Sequence, residues 1–142
     1  MEDFTFKYQH RVVYAECTVG NHVYYARYLD MLEEARGELF RKAGSPLLEL
    51  QFGGMAFPVI GAEIAYKGPA RYDDLLTIEV WIAEMRGIRL NFGFRILNAG
   101  GNLLADGETR HVCASIDEKP MRMPPELAER LAPFVRKSPA VN

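Results

Sequence analysis

Apolar and polar residues alternate from the start of the chain, with Phe4, Phe6 and Tyr8 set against Thr5, Lys7 and Gln9, which is the period of a half-buried strand. This first strand is predicted over Phe4–Glu16. From about Val23 the period lengthens to three and four. Tyr25, Leu29, Leu32, Arg36, Leu39 and Phe40 then form the stripe of a helix packed on one face. Gly44 followed by Ser45-Pro46 supplies a stop, so one helix of about five turns is predicted from Val23 to Ala43. Four strands follow. Ile60, Ala62, Ile64 and Tyr66 alternate as far as the turn at Gly68-Pro69, and Leu76, Ile78, Val80 and Ile82 make the next run, which reverses near Arg86-Gly87. Ile88, Leu90, Phe92, Phe94 and Ile96 are the clearest period-two set. Beyond the turn at 98–102, Leu103 to Ile116 reads as one long last strand. Pro125 opens a short amphipathic helix carrying Leu127, Leu131 and Phe134, because its missing N–H has no intrahelical partner at that position.

One strand, one long helix and then four strands joined mainly by short turns make an α+β arrangement in which an antiparallel sheet must cover the helix. A doubly wound sheet would alternate its helices and strands. The 142 residues suit a single domain over 1–142, with a helical tail from about 125. A net charge of -2 gives no bulk attraction for nucleic acid or an anionic membrane, so a phosphate-bearing ligand must be held by a local basic cluster. The N-terminal MEDFTFKYQHR lacks an apolar core, and no later run approaches the ~18 apolar residues of a membrane span. A cytoplasmic protein is expected. Cys17 and Cys113 stand far apart without a Cys-x-x-Cys pair, so neither a disulfide framework nor a metal site is suggested. No phosphate loop, dinucleotide fingerprint, His-Glu-x-x-His or Gly-x-Ser-x-Gly motif occurs, and no cofactor is implied.

The stretch from Arg11 to Pro46, RVVYAECTVGNHVYYARYLDMLEEARGELFRKAGSP, resembles the signature of acyl-CoA thioesterases of the hotdog superfamily, in the 4-hydroxybenzoyl-CoA and YbgC-type branch. In that signature a strand ends in an Asp-x-Asp-x-x-Gly turn, followed by a Val-aromatic-aromatic-x-x-Tyr helix start and a Glu-Glu-Ala-Arg run. Without gaps, Glu16 takes the first acidic position, Thr18 the second and Asn21 the glycine. The later ADGETRHVCASIDEKPMRMP run matches the family's ending, so the resemblance extends to about Pro124. It implies a hotdog fold, a five-stranded antiparallel sheet wrapped around one central helix. It also implies a homodimer or homotetramer with active sites between chains. Outward residues such as Trp81 and Leu97 are expected to favour that assembly. The implied activity is hydrolysis of the thioester of a small aromatic or fatty acyl-CoA. The alternatives are a polyketide-type acyl-carrier-protein thioesterase and a hotdog protein that binds acyl thioesters without turning them over.

The resemblance places the family's catalytic aspartate at Thr18, whose hydroxyl is a poor nucleophile and a negligible base but can bind water or the local backbone. It makes the backbone amide of Tyr25 the main donor to the thioester oxygen, at a helix N-terminus. Tyr24 and Tyr28 would help wall the acyl pocket, although ordinary aromatic packing accounts for them equally. Three groups can supply the missing base. Glu33 comes first: eight residues past Tyr25 it returns to nearly the same helix face, and a second branch of hotdog thioesterases takes its carboxylate from the central helix at about this separation. Glu16 comes second, its side chain expected to point as Thr18's does from about 7 Å away. His22 is third, as base, water-orienting group or helix cap. Arg36, one turn past Glu33, either pairs with it or binds substrate. The phosphates of coenzyme A need cations, for which Arg86 and Arg89 at one turn and Lys67 and Arg71 at another are candidates, solvated turn charges being the plain alternative.

Overall fold

The computed structural model describes residues 5–136. Strand β1 (Phe6–Arg11) leads through a 3-10 turn (Tyr14–Glu16) into a small hairpin, β2 (Cys17–Thr18) and β3 (His22–Val23), and then into helix α1 (Arg27–Lys42). A short helix α2 (Leu47–Phe52) and strand β4 (Met55–Ala56) precede β5 (Val59–Tyr66), β6 (Leu75–Arg86), β7 (Arg89–Leu97) and β8 (Leu103–Val112). Strand β9 (Ala114–Ser115), helix α3 (Pro125–Leu131) and a 3-10 turn (Ala132–Phe134) complete the described chain. One sheet runs β1-β6-β7-β8-β5, antiparallel throughout. Its concave side holds α1, which is the hotdog arrangement.

The two periods meet in the core. Leu76, Ile78, Val80 and Ile82 of β6 and Leu90, Phe92, Phe94 and Ile96 of β7 are all buried. They face Tyr28, Met31, Leu32, Ala35, Leu39 and Phe40 of α1. The helix ends as its glycine predicts: Gly44 has φ 86°, its N–H bonds to the Arg41 carbonyl, and the Ser45 N–H bonds to that of Phe40, both at 3.0 Å. Helix α3 buries Leu127 and Leu131 and sends Arg130 Nη1 to Ser45 Oγ at 2.9 Å, which fixes the end of α1 to the C-terminal segment.

Several boundaries differ from the expected ones, each for a local reason. Phe4 lies outside the described residues. The first strand stops at Arg11 instead of running to Glu16, because the Glu16 carboxylate turns back to accept the Val13 N–H at 2.9 Å and the Glu16 N–H bonds to the Val13 carbonyl. The helix begins at Arg27 instead of Val23. The Val23 N–H is bonded to the Ala70 carbonyl at 2.9 Å and that of Tyr24 to the Glu16 carbonyl at 2.8 Å, so tertiary bonds hold this segment out of the helix. The buried stripe therefore starts at Tyr28 and Met31, and Tyr25 and Leu29 are exposed. The predicted last strand, Leu103 to Ile116, breaks at Cys113, whose N–H bonds to the Ile88 carbonyl at 2.7 Å, and β9 pairs with β4 instead.

Trp81 also differs from expectation. It lies on the outer face but only 2% exposed, flat against Gly93, its partner in the β6–β7 register. The Arg136 guanidinium covers the ring at 4.1 Å, after Val135 has bridged to Ile82. The chain's own C-terminal segment thus covers the indole, which is not available to a second chain. Leu97 is half-buried. No helix among the described residues is long and apolar enough to cross a membrane.

Candidate active site

Helix α1, helix α2, strands β4 and β9 and the β4–β5 connection line an open cavity of about 510 Å³. Phe40, Leu47, Phe57, Phe92 and Ile116 are among the apolar residues that line it, and Glu33 and Arg36 join them from α1, one turn apart. Glu33 is exposed, and no ion pair joins it to Arg36. Burial pulls the Arg36 guanidinium below its usual range, an effect the nearby Glu33 charge opposes. His111 stands behind them, 3% exposed, with Nδ1 3.2 Å from the Phe57 carbonyl and Nε2 3.0 Å from Thr109 Oγ1. Burial and the Arg36 charge lower its pKa to about 4, so the imidazole is neutral at physiological pH.

A second cavity, about 370 Å³, lies at the entry to α1 and is lined by His22, Val23, Tyr25, Tyr28, Tyr66, Lys67, Gly68 and Pro69. The Tyr25 N–H meets no acceptor among the described residues, as an oxyanion donor requires. The Tyr25 carbonyl accepts Tyr66 Oη at 2.9 Å, which fixes the peptide. Tyr28 Oη accepts the Ala70 N–H at 3.2 Å, and its ring meets Tyr66 edge-on at 5.5 Å between centroids. Tyr24 stays on the surface, tilted against Tyr25 at 4.8 Å.

Thr18 closes the β2–β3 hairpin opposite His22, and its side chain is exposed with no hydrogen bond to a described residue. Asn21 has φ 61°, a left-handed conformation that glycine or asparagine takes at least cost, and its Oδ1 accepts the Tyr72 N–H at 3.1 Å. Glu16 does not point with Thr18. Its carboxylate sits 2.9 Å from His10 Nε2, while His10 Nδ1 is 3.2 Å from Glu34 Oε2, so the group is engaged in joining β1, the turn and α1. His22 is not a helix cap either, since it lies in β3, five residues before the helix begins.

Comparison with known proteins agrees with this architecture. The profile of the thioesterase-like superfamily matches residues 12–131. The chain belongs to that superfamily. The acyl-CoA thioester hydrolase YbgC of Escherichia coli O6:H1 is 36% identical over 125 residues, covering 88% of this chain and 90% of its own. The acyl-CoA thioesterase YbgC of Haemophilus influenzae is 33% identical over 131 residues, covering 89% and 94%. The crystal structure of the hypothetical protein TT1821 from Thermus thermophilus superposes with a TM-score of 0.85 at 30% identity, over 90% of this chain and 98% of that one.

Within this superfamily member the sequence-predicted residues fall into separate groups. Glu33 and Arg36 share one cavity, while His22, Tyr25 and Tyr28 share another with Lys67. Thr18, Glu16 and Tyr24 line neither, and Arg86 and Arg89 are exposed on the β6–β7 turn, where Arg89 Nη1 lies 3.9 Å from Glu84. Arg71 spends its side chain on the Gly20 carbonyl at 3.5 Å. His111 and His10 were not anticipated. The inward phase of β8 was the available signal for His111, and the alternation of Phe6, Tyr8 and His10 was that for His10. Among the described residues no group of three or more His, Cys, Asp or Glu side chains is placed to hold a metal ion.

Proposed function

We propose that this protein hydrolyses the thioester bond of an acyl-CoA, with Glu33 as the carboxylate that activates water or attacks the carbonyl carbon. The observation that carries this reading is Glu33 opening, free of any ion pair, into an apolar cavity from the face of the central helix. The relatives named as acyl-CoA thioester hydrolases support the same chemistry. The Tyr25 N–H, without an acceptor among the described residues, is the group that receives the charge developing on the thioester oxygen.

These two groups cannot act on one carbonyl within a single chain. Glu33 lies six residues into α1, about 9 Å of rise beyond Arg27, and Tyr25 precedes the helix by two more residues, whereas base and oxyanion donor must both lie about 3 Å from the reacting atoms. The site is therefore completed by a second copy, Glu33 of one chain working with the partner's Tyr25. Strand β5 is the sheet edge that supports such pairing, with Val59, Ile60 and Tyr66 exposed along it. A hydrolysis assay over a panel of aliphatic and aromatic acyl-CoA thioesters, following released thiol, tests the activity. Turnover of at least one of them is expected, and none on the whole panel would overturn the reading.

Thr18 favours a second reading, an acyl-thioester binder without its turn carboxylate. The side chain is exposed and bonded to no described residue, so Thr18→Asp is compatible with the fold. A wild type inactive on the panel, together with turnover created by Thr18→Asp, would establish the binder and exclude Glu33 as the base.

A further inference from the structure

Arg36 has no function in the scheme above, and its surroundings are unusual for a cation. It is half-buried in the 510 Å³ cavity, among Phe40, Phe57 and Phe92, with no hydrogen bond or ion pair to any described residue. Each potential counter-charge lining the cavity is accounted for. Neither Glu33 nor Glu118 closes an ion pair with it, and His111, both of whose ring nitrogens are already engaged by the Phe57 carbonyl and Thr109, cannot accept from it. A guanidinium cannot shed its proton to escape an apolar site, so the cost of its lost hydration stands until an anion arrives. Elsewhere the same chain pairs arginines that lean over its surface: Arg95 holds Glu79 at 2.7 Å and Arg27 holds Asp30 at 3.1 Å. Arg86 and Arg122 also lack such a partner among the described residues, but both are exposed to solvent; Arg36 is the half-buried one, and it lies where an acyl group would.

We propose that Arg36 binds a carboxylate at the far end of the acyl group, so that the preferred substrate is the CoA monothioester of a short dicarboxylic acid. This rests on the assignment of the Glu33 cavity as the acyl site. Geometry sets the length class. Arg36 is three residues beyond Glu33, about 4.5 Å along the helix axis, so a thioester presented to Glu33 leaves room for only a few methylenes before the guanidinium. A planar carboxylate matches the guanidinium fork with two parallel hydrogen bonds, which a largely apolar wall strengthens relative to open water. Plain fatty chains of the same length would leave the cation unpaired.

The test pairs two thioesters of equal chain length, glutaryl-CoA and pentanoyl-CoA, which differ only in a terminal carboxylate or methyl group. The wild type is expected to favour glutaryl-CoA in kcat/KM by roughly 10- to 100-fold, the scale of a charge-assisted hydrogen bond, and Arg36→Met is expected to abolish that ratio. Equal wild-type rates, or a preference that survives in Arg36→Met, would overturn the inference while leaving thioesterase activity intact. Calorimetric binding of the non-hydrolysable thioether analogues of the two substrates to the wild type gives the same ratio without needing turnover or a folded variant. Equal affinity there overturns the inference, including the case in which a partner chain's carboxylate already occupies the guanidinium. Absence of all acyl-CoA hydrolysis with glutaryl selectivity retained in binding would overturn the catalytic reading and leave the Arg36 site standing.

Discussion

His111 shows how a single buried group ties stability to pH. Its imidazole is held neutral between the Phe57 carbonyl and Thr109, with a pKa near 4 against about 6.5 in an unfolded chain. The lowered value means that the unfolded chain binds the extra proton first as pH falls. The stabilisation is complete above about 6.5 and is lost progressively toward 4, by up to about 3 kcal/mol for this one group. Urea unfolding at a series of pH values should show that loss in the wild type and a flatter profile in His111→Gln, which cannot titrate; parallel profiles would refute the assignment. At this scale legibility was uneven. That Glu33 and Arg36 lie side by side in one cavity was readable, because helical spacing fixes which residues share a face. Glu16 was misplaced because strand geometry was extended over residues that form a local turn closed by its own carboxylate. His10 and His111 were missed because a lone histidine in an alternating strand reveals its face but not the groups opposite it.

The strands were the most legible elements, since β6 and β7 keep strict alternation over most of their length and each residue's face follows from its parity. Helix α1 was legible as an element, while its first turn was not, because the bonds that hold Val23 and Tyr24 extended come from Ala70 and from Glu16. Helix α2 escaped notice because six residues are too few to show a period, although Pro46 and Gly53-Gly54 bracket it. The outer face of the β6–β7 pair carries its own test. A methyl group added at Gly93 would sit 2.4 Å from the Trp81 indole, which has no free space under Arg136. Gly93→Ala is expected to push the indole outward, lower stability by about 1–3 kcal/mol and shift the emission of this single tryptophan to the red. Unchanged emission and stability would show that the ring is not clamped there.

At the scale of the whole molecule, the order of elements made an α+β arrangement with one sheet covering one helix evident from the chain, and the resemblance carried by Arg11 to Pro46 supplied its hotdog version. The division of the site was not evident, because helical spacing alone does not show that Glu33 and Tyr25 open into different cavities. Under the proposed scheme that division calls for a second chain, for which β5 offers a free sheet edge. Ile60→Glu, which places a charge on the exposed side of β5, is expected to shift the protein from dimer or tetramer toward monomer in sedimentation at micromolar concentration, with activity falling in step. An active monomer would contradict the two-chain site. The central claim is the role of Glu33, and it is tested most directly by the kcat of Glu33→Gln on the best acyl-CoA of the panel, with substrate affinity measured alongside. The account predicts intact folding and binding with turnover lowered by at least ~100-fold, the lower end for loss of a general base. Unchanged turnover would contradict it and move the chemistry to His22, beside Tyr25 in the second cavity.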